Sequence, residues 1–255
     1  MHNRSFRLVL AKKKYLPVVL IIFSLIVIRC KVNSSVNGAI KPKGIRVLLV
    51  GGGSSHDFNK WYKQADATTL ERDGLATVTY TGNTDSILDF LPNVDVLYLS
   101  NNQPITNPKV RQAIFDHVNS GKGLVLAHAA LWYNWKDWPE YNMKLVSGGS
   151  RGHDKYGPFN VAVINQNHPV MKSVNSNFSL KDELYYYKPD SAGPGIEVLA
   201  NASAAGSDKI YPSVFIVKHA KARIVGIALG HDAEAHDIAP YKTLLRNAVT
   251  WTAHK

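Results

Sequence analysis

Leu124, Val125, Leu126 and Ala127, followed at once by His128, limit what this chain can fold into more than any other stretch. An apolar run with no polar alternation, introduced by a turn at Gly121, Lys122 and Gly123, reads as a strand buried on both faces. Such strands belong to sheets covered by helices on both sides, and ligands bind where the loops leave the strands' carboxyl ends. His128 is delivered to that edge. Ala129 and Ala130 are small enough for the backbone to turn away sharply. Three tryptophans and two tyrosines then crowd into Trp132 to Tyr141, together with Asp137 and Glu140. The segment suits a pocket wall, and equally an aromatic-rich helix packed into the core.

The flanking sequence repeats the strand-then-helix pattern. Ile45 to Val50 (IRVLLV) is a second buried strand, and Gly51 to Asp57 (GGGSSHD) leaves it directly. A dinucleotide fingerprint would need glycine where His56 stands, so no nucleotide cofactor is expected. The loop carries His56 to the same edge as His128. Lys60 to Arg72 reads as a helix, Ala76 to Tyr80 and Val94 to Leu99 as strands. Asn107 with Pro108 starts a helix that runs to Gly121. Alternation of this kind gives a parallel sheet with helices on both faces.

The N-terminus reads differently. Met1 to Lys14 is basic without acids, Leu16 to Ile28 is apolar, and Arg29 ends the run. Residues 1–30 are a signal peptide or membrane anchor, and 31–43 a polar linker. A cleaved signal, a short anchor and a lipoprotein signal with lipid on Cys30 all fit, although Arg29 stands where a lipid-accepting site needs a small residue. Each places the 44–255 domain outside the cytoplasm, in the periplasm or at the cell surface, secreted or membrane-anchored. Nine of the 30 Lys and Arg residues lie in the first 43 positions, leaving 21 against 19 acids in the remainder. The basic balance therefore belongs to targeting, and nucleic acid is not an expected partner. A lone cysteine removes an intramolecular disulfide from consideration.

Beyond the aromatic segment, Gly148 to His153 reads as a loop and Asn160 to Ile164 as a strand. Leu180 to Tyr187 (LKDELYYY) sets Asp182 and Glu183 before a tyrosine-rich strand. Glu197 to Ala200, Tyr211 to Lys218 and Arg223 to Leu229 read as further, partly antiparallel strands. The last of these delivers His231 and Asp232 after Gly230. Tyr241 to Trp251 closes the chain as an amphipathic helix. His168 reads as a turn residue, and His117, His219, His236 and His254 as surface or helix residues.

These motifs taken in order, GLVLAHAA with its tryptophan, GG with His153, Asn167-His168-Pro169, DELYYY, and ALGHD before a helix with Trp251, resemble the trehalose-utilisation (ThuA-like) family over about Ile45 to Ala253. The resemblance implies an α/β, flavodoxin-like fold of the class I glutamine amidotransferase type. Its sheet would be mostly parallel with helices on both faces, and some strands of the C-terminal half antiparallel. It also implies sugar metabolism beside a sugar dehydrogenase that makes 3-keto-glycosides, and a divalent metal in some members. Amidotransferases present a cysteine at the strand–helix elbow. Here His128 occupies it, so thiol chemistry does not carry over.

Topology alone brings His56, His128 and His231 to one edge, with His153 and Glu183 on loops able to fold over it. Imidazoles with a carboxylate suit zinc or a similar metal, and also acid–base work near neutral pH. The expected catalytic set is His128, His231 and Glu183, and the expected metal set His128, His153 and His231. His56, Trp132, Trp135, Tyr185 and Asp182 are assigned to substrate, with Trp138 a further stacking candidate; the choice between Asp182 and Glu183 stays open. The leading expectation is an enzyme that cleaves or transforms a keto-glycoside. A membrane-tethered sugar-binding or scaffold module is the alternative. A hydrolase of unmodified glycosides would need Asp182 or Glu183 opposite Asp232.

Overall fold

A computed structural model describes residues 44–132 and 136–254. The signal or anchor segment, the linker and Trp135 lie outside the described residues. The core is a nine-stranded sheet. Its strands are β1 (Ile45–Val50), β2 (Ala76–Thr81), β3 (Val96–Leu99), β4 (Gly123–Ala127), β6 (Gly157–Val163), β7 (Asn177–Asp182), β9 (Ile196–Ala204), β10 (Tyr211–Val217) and β11 (Ile224–Ile227). In space they run β2-β1-β3-β4-β11-β10-β9-β6-β7. The first five are mutually parallel, and the remaining four continue antiparallel. A separate antiparallel pair, β5 (Gly148–His153) and β8 (Tyr185–Pro189), lies outside this sheet.

The central position of β4 explains its composition. It pairs with β3 on one side and β11 on the other, and all five of its residues are buried. Leu124 and Leu126 face one apolar layer with Val110, Ile114 and Val118 of helix α3 (Pro108–Asn119). Val125 and Ala127 face the other layer. There they join Leu70 of α1 (Ala67–Glu71) and Leu244, Leu245, Ala248 and Val249 of α5 (Ala239–Thr252). Two helices, α2 (Ile87–Phe90) and α4 (Ala233–His236), are single turns. The helix expected from Lys60 begins as a π-helical segment, Asn59–Asp66, that leads into α1. Asn107 caps α3 by accepting from the Lys109 amide, with Pro108 at the first helical position.

Two elements depart from the sequence reading. Gly148 to His153 is a strand, not a loop: its glycines tolerate φ of +146° to +154°, which lets it pair with β8. Trp138 is 3% exposed and packs edge-on against Phe115, so it belongs to the core and cannot stack on a ligand. His168 accepts from the Val170 amide and so caps a turn. His117 and His236 do lie on helices, but both are buried.

Candidate functional site

The parallel half of the sheet sends its loops to one edge, and three of them carry histidines. His56 leaves β1, His128 leaves β4 and His231 leaves β11. Glu183 enters from the short link between β7 and β8. One ligating atom from each of these four residues lies within 4.8 Å of the others. The ring centroids of His56 stand 5.0 Å from His128 and 4.7 Å from His231. Glu183 Oε2 is 3.5 Å from His128 Nε2 and 3.3 Å from His231 Nδ1.

Each inward nitrogen lacks a hydrogen bond. His56 Nε2, His128 Nε2 and His231 Nδ1 are buried and make no hydrogen bond. Unpaired buried polar atoms are costly and call for an explanation. Two of the rings are held so that a lone pair faces inward. His56 Nδ1 lies 2.9 Å from the carbonyl of Ser54, and His128 Nδ1 lies 2.8 Å from the carbonyl of Ala228. Since a carbonyl only accepts, Nδ1 carries the proton and Nε2 is free to ligate. His128 sits at φ +40°, a left-handed conformation costing roughly 1–3 kcal/mol, which aims its ring into the cluster. Tyr185 stacks on that ring at 4.3 Å.

Charges within the cluster depend on one another. Burial, then the neighbouring His128, push the His56 imidazole down to about 4, so it is neutral near pH 7. Burial alone would raise the Glu183 carboxyl, but contacts with His128 and His231 outweigh it and hold the group well below its usual range. The same Glu183 contact raises His231. Among the described residues no Lys or Arg pairs with Glu183 or with the adjacent Asp182. Two ligands at a tetrahedral angle on an ion with bonds of about 2.1 Å stand about 3.4 Å apart; the two Glu183 contacts meet that spacing, and the four atoms as a set lie within 4.8 Å of one another. Three imidazoles and one carboxylate can hold a divalent metal, and the orphaned nitrogens fit that use.

The expected residues fall in three distinct places. His56, assigned to substrate, stands in the four-residue cluster. His153 stands outside it: its Nδ1 donates to the Asp154 carbonyl at 2.8 Å, and it lies 3.6 Å from Glu183 Oε1 on the outer side. Asp182, also assigned to substrate, is 1% exposed and accepts from the amides of Glu183, Gly230 and His231 at 2.7, 2.8 and 3.1 Å. It braces the site through these three amides. Burial accordingly raises its carboxyl, despite the neighbouring His128 and the three amides.

Above the cluster, a cavity of about 410 Å³ is lined by His56, Ala129, Trp132, His153, Glu183 and Tyr185. Its volume is that of a small-molecule site. Trp132 packs against His153 and Tyr185 with centroids 5.5 and 5.7 Å away. A second hollow of about 600 Å³, between Gly52, Asp57 and Tyr80, meets the first at His56. Tyr156 escaped the sequence reading: 41% exposed, its ring lies 5.5 Å from that of His231 and its hydroxyl donates to Asp232 Oδ1. That bond engages the carboxylate which a two-acid hydrolase would need opposite Glu183. A lone tyrosine in a loop gives no periodic signal by which it could have been found.

Comparison with known proteins agrees with this fold. A ThuA-like protein from Parabacteroides merdae superposes with a TM-score of 0.72 at 23% identity, over 83% of this chain and 90% of its own. A ThuA-like protein from Bacteroides uniformis gives 0.67 at 22% identity, over 82% and 91%. The glutaminase domain of Trypanosoma brucei CTPS gives 0.50 at 11% identity, over 82% and 94%, a likeness of fold alone. No curated protein matches the chain significantly in sequence. The ThuA family model, described as trehalose utilisation, matches residues 46–252, and the chain therefore belongs to that family.

Proposed function

We propose that this protein is an extracytoplasmic, carbohydrate-active enzyme that cleaves or transforms a 3-keto-glycoside at a divalent metal held by His56, His128, Glu183 and His231. Family membership supports a sugar-related role. The observation that carries the chemistry is the convergence of three unpaired, buried imidazole nitrogens on one carboxylate. A bound divalent cation would supply Lewis-acid stabilisation of charge developing on a substrate oxygen.

The remaining residues then take distinct parts. A keto group acidifies the neighbouring carbon–hydrogen bond, so elimination of the glycosidic substituent needs a base beside the stabilised oxygen. His153 fits the base: its Nδ1 proton is committed to Asp154, which leaves Nε2 with a lone pair on the cavity wall. It would take the proton from carbon, and the electron pair released would expel the glycosidic oxygen. Trp132 offers a flat face to a sugar ring, and the hollow beyond His56 gives the substituent room. A sugar dehydrogenase that oxidises the substrate is the expected partner enzyme.

The test incubates the metal-loaded protein with 3-keto-glycosides and follows release of the substituent. Turnover that falls in His153→Ala supports the reading. Saturable binding of the same compounds without turnover would favour a sugar-binding module instead.

A further inference from the structure

Beneath the cluster lies a second charged group that no step above uses. His236, 1% exposed in α4, has both ring nitrogens engaged. Nδ1 is 2.7 Å from Asp66 Oδ1, and Nε2 is 3.0 Å from the carbonyl oxygen of Gly230. A carbonyl has no proton to give. Asp66 accepts the hydroxyls of Tyr98 at 2.7 Å and Tyr241 at 3.3 Å on its other oxygen, which leaves Oδ1 to accept from His236. Both imidazole nitrogens must therefore donate, which makes the ring a buried imidazolium.

Three aromatic rings pack around His236, and the Lys60 ammonium lies on the Trp61 ring, 4.4 Å from its centroid. The Trp61 ring lies stacked at 6.0 Å, and the Tyr62 and Tyr241 rings stand edge-on at 4.8 and 5.0 Å. Burial opposes the charge, while Asp66 and, more distantly, Asp182 favour it and prevail.

The carbonyl that His236 grips belongs to the peptide joining Gly230 to His231. The Tyr62 hydroxyl donates to the same oxygen at 2.6 Å, and the amide of that peptide donates to Asp182 at 3.1 Å. Gly230 holds φ +125°, and a Cβ there would stand 3.2 Å from the hydroxyls of both Tyr62 and Tyr241. One peptide is thus clamped between a buried cation and a buried anion immediately before a cluster histidine.

We propose that His236, as an imidazolium paired with Asp66, is a positioning residue that fixes the Gly230–His231 peptide and so aims His231 Nδ1 into the cluster. Its effect on metal affinity rests on the cation reading of that cluster, whereas its effect on the peptide does not.

The test uses the full chain labelled with nitrogen-15. At a pH near the ordinary imidazole value of about 6.5, both ring nitrogens of His236 are expected to carry protons. A singly protonated ring overturns the proposal, and this measurement needs no variant to fold. In His236→Gln, hydrogen exchange at the Gly230 and His231 amides should accelerate while Val225 and Gly226 of β11 stay protected. Zinc affinity, read by chelator competition, should fall about 10- to 100-fold, as for loss of an outer partner of a metal ligand. Unchanged exchange at both amides overturns the proposal. A wild-type chain that binds no zinc refutes the cation reading alone, and the protonation and exchange results still decide the role of His236.

Discussion

Asp182 holds the backbone of His231, accepting its amide at 3.1 Å through Oδ1 while Oδ2 takes the preceding Gly230 amide at 2.8 Å. The next residue, Glu183, points the other way and stands 3.3 Å from the His231 ring. Neighbouring carboxylates thus divide the work, one orienting the histidine and the other meeting it. Asp182→Asn keeps the shape but presents a donor to one of the amides. Thermal or denaturant unfolding should show a loss of about 1–3 kcal/mol, the cost of leaving a buried group unsatisfied.

His153 and His128 should separate by phenotype. His153→Ala leaves the four converging residues in place, so cation content should stay near wild type. Turnover of a keto-glycoside should fall by about 10²- to 10⁴-fold, as for loss of a general base. Paired metal analysis and kinetics check this. A variant that loses metal in proportion to activity would place His153 among the ligands.

Much of this site was legible from strand order. His56, His128 and His231 each follow a strand of the parallel set, and that placement alone brings them to one edge. Choosing Glu183 over Asp182 was beyond the sequence, because successive residues in extended chain face opposite ways and nothing local says which way is inward. His236 and Asp66 are 170 positions apart, and only the docking of α4 against the Asn59–Asp66 segment reveals their pairing. Gly148 to His153 reads as a loop because glycines suppress the strand signal, although here they are what permits the pairing with β8. Trp132 and Trp138 look alike in sequence, and only packing sends one to the cavity and the other to the core.

Trp132→Ala should weaken sugar binding by roughly 3- to 10-fold, the equivalent of an aromatic contact worth about 0.5–1.5 kcal/mol. Titration calorimetry with a sugar ligand checks this. Metal content should not change, because the Trp132 ring packs against His153 and Tyr185, which are not among the four converging residues.

His117 gives the fold an acid-side sensitivity. Burial pushes its imidazole down to about 4, while its Nε2 bonds to the Gly123 carbonyl at 3.1 Å. In the unfolded chain it titrates near 6.5, so between about 6.5 and 4 the unfolded state binds more protons. The stability it contributes is present above 6.5 and is lost as pH falls through that window, by up to about 3 kcal/mol. Comparing unfolding free energies at about pH 7 and pH 4.5 for wild type and His117→Gln checks this. The variant should show the smaller decline.

The convergence of His56, His128, Glu183 and His231 on one cation is tested most directly by elemental analysis. Wild-type protein, purified without chelator and then equilibrated with zinc, is compared with His128→Ala. About one equivalent of metal is expected in the wild type, with affinity lowered by more than about 100-fold in the variant, beyond the loss typical of an outer partner. Equal metal content in the two proteins, or none in either, would contradict the metal centre and leave the three imidazoles to acid–base chemistry.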